Sequence, residues 1–539
     1  MTADAAASLR KDRARDRPFG RVLVANRGEI AVRIIRACRD LGIETVAVYS
    51  DADAGAAHVL MEDAAVRLGP APAADRYLRA DAIVDAAIQT AAEAIHPGYG
   101  FLAERASFAR AVEDAGLVFV GPSSATIAAL GDKLAARRAA TAAGVPVVPG
   151  TLESAAVNRA DAVAAIVAEA TAIGFPLLVK AAAGGGGRGM RRVTAAAELP
   201  AALAAGAAEA EAAFGDGSVY LEREIAPARH IEVQLLGDRQ GTIVALGERD
   251  CSLQRRHQKL VEESPAPGLR PEERRDLHAM AVRAALAAGL ENAATAEFLF
   301  DAERHFWFLE VNTRLQVEHG VSELVADVDI VREQLFLAAG RPLSERIRAA
   351  AGRAVEPGRH AIEVRLSAED PAREFAPAPG RIGRWEMPAG PGIRVDTAVG
   401  EGERIPPDYD PLIAKILVVD ADRPAAIARL SRALDETLVT GIQTTLPFHR
   451  WVMSDPGFQE GGLTIDWVDA NWATKLEPGR SAALETARWA AAHAFREPSG
   501  GSASTHADAA PTAARSGRAT VVSEWARAGR AEAVDRWPP

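Results

Sequence analysis

From Arg21 onward the chain alternates short apolar runs with amphipathic stretches. Val22-Leu23-Val24-Ala25 is closed by Asn26-Arg27-Gly28, and an apolar run ended by a turn signal predicts a buried strand. Ile30, Ile34, Cys38 and Leu41 follow at spacings of four, four and three, which is one face of a helix. Thr45 to Tyr49, Ala94-Ile95 and Leu117 to Val120 read as further strands, with a helix near 102–115 before the last. This alternation predicts a doubly wound α/β unit with a largely parallel sheet over residues 20–130.

A connecting helix ending at Gly144 occupies a linker over 131–150, where Pro146, Pro149 and Gly150 supply turns. Residues 151–223 read as a smaller unit holding Leu177-Leu178-Val179-Lys180 and a glycine run. Residues 224–472 read as a larger mixed α+β unit. Residues 1–19, polar and aperiodic, read as a disordered tail. Over 473–539 an amphipathic helix near 480–496 precedes a Gly/Ser/Ala/Thr-rich, low-complexity stretch.

Polarity is most informative at residues 295–318. Thr295 to Phe300 and His305 to Val311 predict two strands around the turn Asp301 to Arg304. That register sets Phe300 opposite His305 and Glu297 opposite Phe308, with Glu310 diagonal to Glu297 on one face. Two convergent carboxylates can hold magnesium beside a nucleotide's phosphates. If the strand stays extended, Asn312, Arg314, Gln316 and Glu318 project from the same face. A solvated strand face shows the same alternation, but here the intervening positions are strongly apolar. A one-residue slip would send the whole set to the other face.

Composition narrows the field. With 539 residues and 48% hydrophobic content the chain accommodates several domains. A net charge of −11 argues against nucleic acid or an anionic membrane surface as partner. No apolar run is long enough for a transmembrane helix, and the first twenty residues lack the apolar core of a secretory signal. Cys38 and Cys251 are too few for a disulfide framework or a cysteine metal site, and a reducing cytoplasm fits best. Of 62 basic residues only Lys11, Lys133, Lys180, Lys259, Lys415 and Lys475 are lysines. Each retained lysine is therefore a candidate for a site that needs a compact ammonium.

Three further segments carry candidate chemistry. Gly184-Gly185-Gly186-Gly187-Arg188-Gly189-Met190 follows the strand ending in Lys180. Glycines let backbone amides approach phosphate oxygens, and no Gly-Lys-Ser/Thr follows to make a P-loop. Cys251 to Lys259 is a basic, hydrogen-bonding cluster, and Arg365 sits in an alternating strand. His96 to Phe101 is a turn at a strand end, where α/β ligands bind.

Together these segments resemble the biotin carboxylase family over about residues 20–470. The resemblance rests on ANRGEIAVRIIRACRDLGI, IHPGYGFLAE, GDK at 131–133, GGGGRGM, RHIEVQ, ERDCSLQRRHQK, FLEVNTRLQVEH and DYDPLIAKI, in the family's order. It implies an ATP-grasp fold: an N-terminal α/β domain, a lid, and a C-terminal mixed domain, with ATP between lid and body. Lys133 and Lys180 would then neutralise ATP phosphates under the glycine loop. Glu222, Arg223, Ile225, His230, Gln254, His257 and Leu299 would line the nucleotide site. Glu297, Glu310 and Asn312 would hold Mg2+ or Mn2+. Lys259, Arg314, Gln316 and Val317 resemble the bicarbonate site, with Glu318 as base. Arg365 resembles the arginine that stabilises the biotin enolate, and Tyr99 lies where biotin is expected.

Some positions depart from the family pattern. Ala183 stands where the glycine run usually begins, and Arg223 replaces a common lysine. Gly320 stands where proline is usual, which predicts a looser backbone beside the base. None of the six lysines lies in an Ala-Met-Lys-Met setting, so biotin must come on a separate biotin carboxyl carrier protein. A carboxyltransferase subunit would be a separate chain too, and relatives are commonly homodimers. The expected activity is ATP- and bicarbonate-dependent carboxylation of biotin through carboxyphosphate, in an acetyl- or acyl-CoA carboxylase. A urea carboxylase-like component and a noncatalytic regulatory paralogue are the alternatives.

Overall fold

A computed structural model describes residues 17–70, 76–156, 160–182 and 190–472. The glycines Gly184, Gly185, Gly186, Gly187 and Gly189, the tail before Arg17, the helix near 480–496 and the low-complexity stretch lie outside the described residues. So do Ala183, Lys11 and Lys475.

The apolar runs of the N-terminal region become a five-stranded sheet in which every pair is parallel. In spatial order its strands are Ala64–Gly69, Glu44–Ser50, Arg21–Val24, Ala94–His96 and Val118–Phe119. Both faces are covered. Val22 and Val24 pack with Ile30, Ile34 and Cys38 of helix Gly28–Asp40, while Leu23, Val46, Val48 and Ile95 pack with Ile83, Phe108 and Val112. Strand order reverses between Arg21–Val24 and Ala94–His96, the place where such sheets form a ligand crevice. Asn26 and Tyr99 meet there, through a 2.7 Å hydrogen bond from the Asn26 amide to the Tyr99 carbonyl.

A second sheet has eight antiparallel strands, and it carries most of the site. Its order is Phe306–Asn312, Asn292–Asp301, Ala228–Gly237, Ile243–Arg255, Gln258–Ser264, His360–Ser367, Leu412–Asp420 and Ile393–Thr397. Residues from before 312 and after 360 are thus knitted into one layer. A third, four-stranded antiparallel sheet joins Ala155–Ala156, Ser218–Arg223, Leu177–Ala181 and Arg191–Val193. Helices Ala160–Ile173 and Leu199–Phe214 bury Ile166, Ala170, Leu199 and Leu203 against it.

The hairpin at 295–312 forms, but in a different register. Phe300 pairs with Phe306 and Phe298 with Phe308, one position from the expected alignment. Ring pairs set this register: Phe300 and Phe306 stack with centroids 4.6 Å apart, and Phe298 meets Phe308 edge-on at 5.7 Å. A bulge after Glu297–Glu310 adds a second offset, so these two glutamates are directly opposite rather than diagonal. The strand also ends at Asn312. Arg314, Gln316 and Glu318 therefore reach the site from a connecting segment, not from an extended strand.

Gly320 corrects a second expectation. It lies buried in the first turn of helix His319–Ala326, where a β-carbon would come 2.3 Å from Leu417 Cδ2 and 3.1 Å from Glu363 Oε2. The glycine closes the helix onto the sheet. It does not loosen it.

Candidate active site

Strand periodicity builds the floor of the site. His230, Glu232 and Gln234 alternate on Ala228–Gly237, and Glu232 pairs across the sheet with both Arg249 and Glu297. Arg249 is fully buried. It donates to Glu232 at 2.6 Å, to Gln234 and Ser322 at 2.8 Å and to Thr295 at 3.1 Å. A buried guanidinium so fully paired fixes the carboxylates above it.

Lys259 stands over this floor. Its ammonium donates to Glu232 at 2.5 Å, Glu318 at 2.6 Å and Glu297 at 3.1 Å. Burial alone would lower its pKa, but the three carboxylates carry it well above the usual lysine value. Glu318 also accepts from Arg365 Nη2 at 2.8 Å, and Arg365 Nε donates to Glu262 at 2.6 Å. Burial works to raise the Glu318 carboxyl, and Lys259, Arg365 and Arg249 outweigh it, so the group is held well below the usual range. Glu318 is thus an ionised, fully buried carboxylate. Beside it, burial pushes the Glu262 carboxyl up to about 7.

The donors next to Glu318 suit a small oxyanion. Arg314 donates through Nε to Glu104 at 2.9 Å and through Nη1 to Gln316 Oε1 at 2.9 Å. Holding that oxygen fixes the amide's orientation, and Gln316 Nε2 is buried with no hydrogen-bond partner. A buried donor left unsatisfied is costly, and an anion between Lys259 and Gln316 would satisfy it. Val317 contributes differently: its carbonyl accepts from Lys415 Nζ at 2.6 Å.

Glu297 and Glu310 fit a cation. Like charges directly opposite on a sheet are destabilising, and several donors around this pair supply compensation. Glu310 accepts from Lys133 at 2.8 Å. Glu297 accepts from Asn312 Nδ2 at 2.8 Å and lies 3.1 Å from His230 Nε2. Burial would raise the Glu297 carboxyl, but Lys259 and His230 hold it well below the usual range. His230 itself is raised: burial opposes its charge, and Glu297 overrides burial. Ligand atoms of His230, Glu232 and Glu297 lie within 4.8 Å of one another. Carboxylate and amide oxygens are the donors magnesium prefers, so Glu297, Glu310 and Asn312 suit the expected ion.

The remaining candidates form the surrounding walls. Lys180 hydrogen-bonds the buried Glu222, whose other oxygen takes Arg137 at 2.5 Å. Burial works to raise Glu222, and Lys180 and Arg137 bring it below the usual value. The Glu222 side chain thus orients Lys180, in addition to any contact with a base. Arg223 is exposed, Ile225 and Leu299 are half-buried, and Leu299 pairs directly with His230. Gln254 is buried and pairs across the sheet with Lys259. His257 is exposed at the hairpin tip, its pKa lowered by burial and by Lys180. The Tyr99 hydroxyl hydrogen-bonds Glu29, and burial followed by that carboxylate pushes the phenol well up.

Comparison with known proteins identifies the family. Residues 18–127 match the family described as biotin carboxylase, N-terminal domain, and 363–470 match the biotin carboxylase C-terminal domain. Residues 132–346 match the carbamoyl-phosphate synthase L chain, ATP binding domain. The biotin carboxylase of Pseudomonas aeruginosa is 47% identical over 449 residues, covering 83% of this chain and 98% of its own length.

This chain belongs to the biotin carboxylase family.

Biotin carboxylases are ATP-dependent ligases with an ATP-grasp core, and the fold of this chain is of that type. A pyruvate carboxylase subunit of Methanothermobacter thermautotrophicus is 45% identical over 451 residues, covering 84% of this chain and 90% of its own. The biotin carboxylase domain dimer of Hydrogenobacter thermophilus 2-oxoglutarate carboxylase was solved with MgADP, ADP and bicarbonate. It is 44% identical with a TM-score of 0.79, covering 84% of this chain and 97% of that one.

Two residues escape a reading of the sequence. Glu232 lies inside the segment RHIEVQ, and its parity with His230 and Gln234 is the available signal. Lys415, fully buried beside Glu29 at 3.5 Å, falls in the segment DYDPLIAKI and among the six lysines, signals that give it no specific role.

Proposed function

We propose that this chain phosphorylates bicarbonate with ATP and transfers the resulting carboxyl group to biotin on a separate carrier protein. The observation that carries the reading is the contact of one buried base, Glu318, with both Lys259 and Arg365, beside the unsatisfied amide of Gln316. Lys259, Arg314 and Gln316 bind bicarbonate, and Glu318 takes its proton. The oxyanion attacks the γ-phosphoryl group, giving carboxyphosphate and ADP. Lys133 and Lys180 offset charge on the phosphates, and magnesium held by Glu297, Glu310 and Asn312 supplies further charge stabilisation. Carboxyphosphate then decomposes to carbon dioxide and phosphate, and that phosphate takes the ureido proton of biotin. Arg365 stabilises the enolate, which attacks carbon dioxide, with Tyr99 beside the biotin. Arg223, Ile225, Leu299, Gln254, His257 and His230 line the nucleotide site.

The reading places the chain in a cytoplasmic acetyl- or acyl-CoA carboxylase with a carrier protein, a carboxyltransferase and a second copy of itself. Acetyl-CoA and acyl-CoA compete with pyruvate and 2-oxoglutarate as final acceptor, given relatives of both latter kinds. Labelled bicarbonate fixed onto free biotin in the presence of ATP and magnesium tests the activity. Fixation onto each acceptor by the purified assembly tests the assignment. Fixation onto pyruvate alone would replace the acyl-CoA reading.

A further inference from the structure

Two left-handed turns face one another beside the site. Among the described residues nine non-glycine positions have a left-handed φ, and four of them form two consecutive pairs: Arg256 (49°) with His257 (64°), and Glu374 (56°) with Phe375 (58°). The first pair is the two-residue turn of a hairpin in which Arg255 pairs with Gln258 and Gln254 with Lys259. A turn of this hand ordinarily uses Asn-Gly, because a β-carbon is strained there. An external restraint must hold it.

Arg255 supplies one. Its Nη1 donates to the Glu374 carbonyl at 2.9 Å, and its guanidinium lies 5.1 Å from the Phe375 ring centroid. Nη2 is 3.7 Å from the Glu374 carboxylate, and Nε is 3.7 Å from Asp469. Phe375 is buried, edge-on to Phe448 at 5.3 Å. The backbone beneath it is pinned by the Trp472 indole donating to the Pro371 carbonyl at 2.8 Å. One guanidinium thus ties an exposed hairpin tip to the core. The neighbouring pair Arg256–Glu374, 3.1 Å apart, has side chains 68% and 79% exposed, and an exposed pair adds little. Arg255 itself is only 15% exposed.

We propose that Arg255 is a positioning residue that clamps the Arg256–His257 turn in its left-handed form and so aims His257 at the nucleotide. The inference rests on the function proposed above. Lys259 is held independently by three carboxylates, so loss of the clamp acts on nucleotide affinity before it acts on bicarbonate chemistry.

The test is steady-state kinetics of bicarbonate-dependent ATP hydrolysis by the full chain and its Arg255→Ala, Arg255→Lys, Arg256→Gly and Arg255→Ala/Arg256→Gly variants. Arg255→Ala raises KM for ATP about tenfold, with KM for bicarbonate within about twofold of the parent and an unchanged melting temperature. Arg255→Lys, which keeps charge without the fork, recovers part of the loss. Arg256→Gly relieves strain in the turn, so the double variant returns most of the way to the parent KM. An unchanged KM for ATP in Arg255→Ala overturns the clamp. So does a loss that Arg256→Gly fails to relieve, or one shared equally by both substrates. A parent chain with no bicarbonate-dependent hydrolysis defeats the functional reading instead, and the two failures are told apart by that control.

Discussion

Glu318 is held by two cations of different kinds, an ammonium at 2.6 Å and a guanidinium at 2.8 Å. The first is the candidate bicarbonate ligand and the second the candidate biotin ligand, so a single carboxylate connects deprotonation to acceptor binding. Replacing it by an isosteric amide removes the base and leaves the nucleotide walls intact. Glu318→Gln and Arg365→Ala are each expected to lower carboxylation by at least about a hundredfold, with nucleotide affinity by calorimetry within about threefold. Near-parental turnover in either variant contradicts these roles. Most of this was legible because strand and motif residues carry parity: Glu297, Glu310, Glu318 and Arg365 could be named from spacing and resemblance together. Lys415 could be named but not given a role, because its work is a hydrogen bond to a backbone carbonyl, and no side-chain pattern records that.

The hairpin around residue 303 shows what periodicity misses at the scale of elements. Alternation predicted that Glu297 and Glu310 converge, and they do. Their direct opposition depends on a bulge that leaves no compositional trace, and on aromatic pairs whose preference is energetic. Direct opposition calls for compensating charge, which Lys133 and Lys259 supply and a bound magnesium ion would share. Glu310→Gln is expected to raise the magnesium concentration for half-maximal turnover at least about tenfold, read by titration after chelation. Gly320 belongs to the same scale. A β-carbon there would sit 2.3 Å from Leu417 Cδ2, and overpacking of this kind costs about 1–3 kcal/mol. Gly320→Ala should therefore lower both melting temperature and turnover, and Leu417→Val in the same chain, which gives up about the volume the added methyl needs, should recover part of each. Failure of the second change to help would show that the clash is absorbed elsewhere.

Across the described residues, the three largest sheets differ in pairing and in residue pattern, and the fold class was legible because each announces its period. The eight-stranded layer was less legible, since its strands come from segments nearly a hundred residues apart and pair by register alone. Four buried histidines outside that layer work against stability in acid. Burial lowers His58 and His449 to about 4 and His96 and His319 to about 3, from 6.5. A depressed folded pKa gives stability that is complete above the unfolded value and lost as pH falls toward the folded one. Each residue should cost on the order of 1–2 kcal/mol at pH 5 relative to pH 7, while His230, raised by Glu297, works in the opposite sense. Burial raises Glu62 to about 8 and Glu262 and Glu369 to about 7, and these carboxyls gain on acidification. The histidine share is therefore read by difference: a His449→Gln chain should lose less melting temperature between pH 7 and pH 5 than its parent, and an equal loss would contradict neutral burial of that ring. Among the described residues no helix is long and apolar enough to cross a membrane.

Phosphorylation of bicarbonate ahead of carboxyl transfer to biotin is tested most directly by following one oxygen. The full chain is supplied with ATP, magnesium, free biotin and bicarbonate labelled with oxygen-18, and released phosphate is read by mass. ADP release should depend on bicarbonate and rise with biotin, and each phosphate should carry one label. Unlabelled phosphate, or hydrolysis indifferent to bicarbonate, would contradict the proposed chemistry.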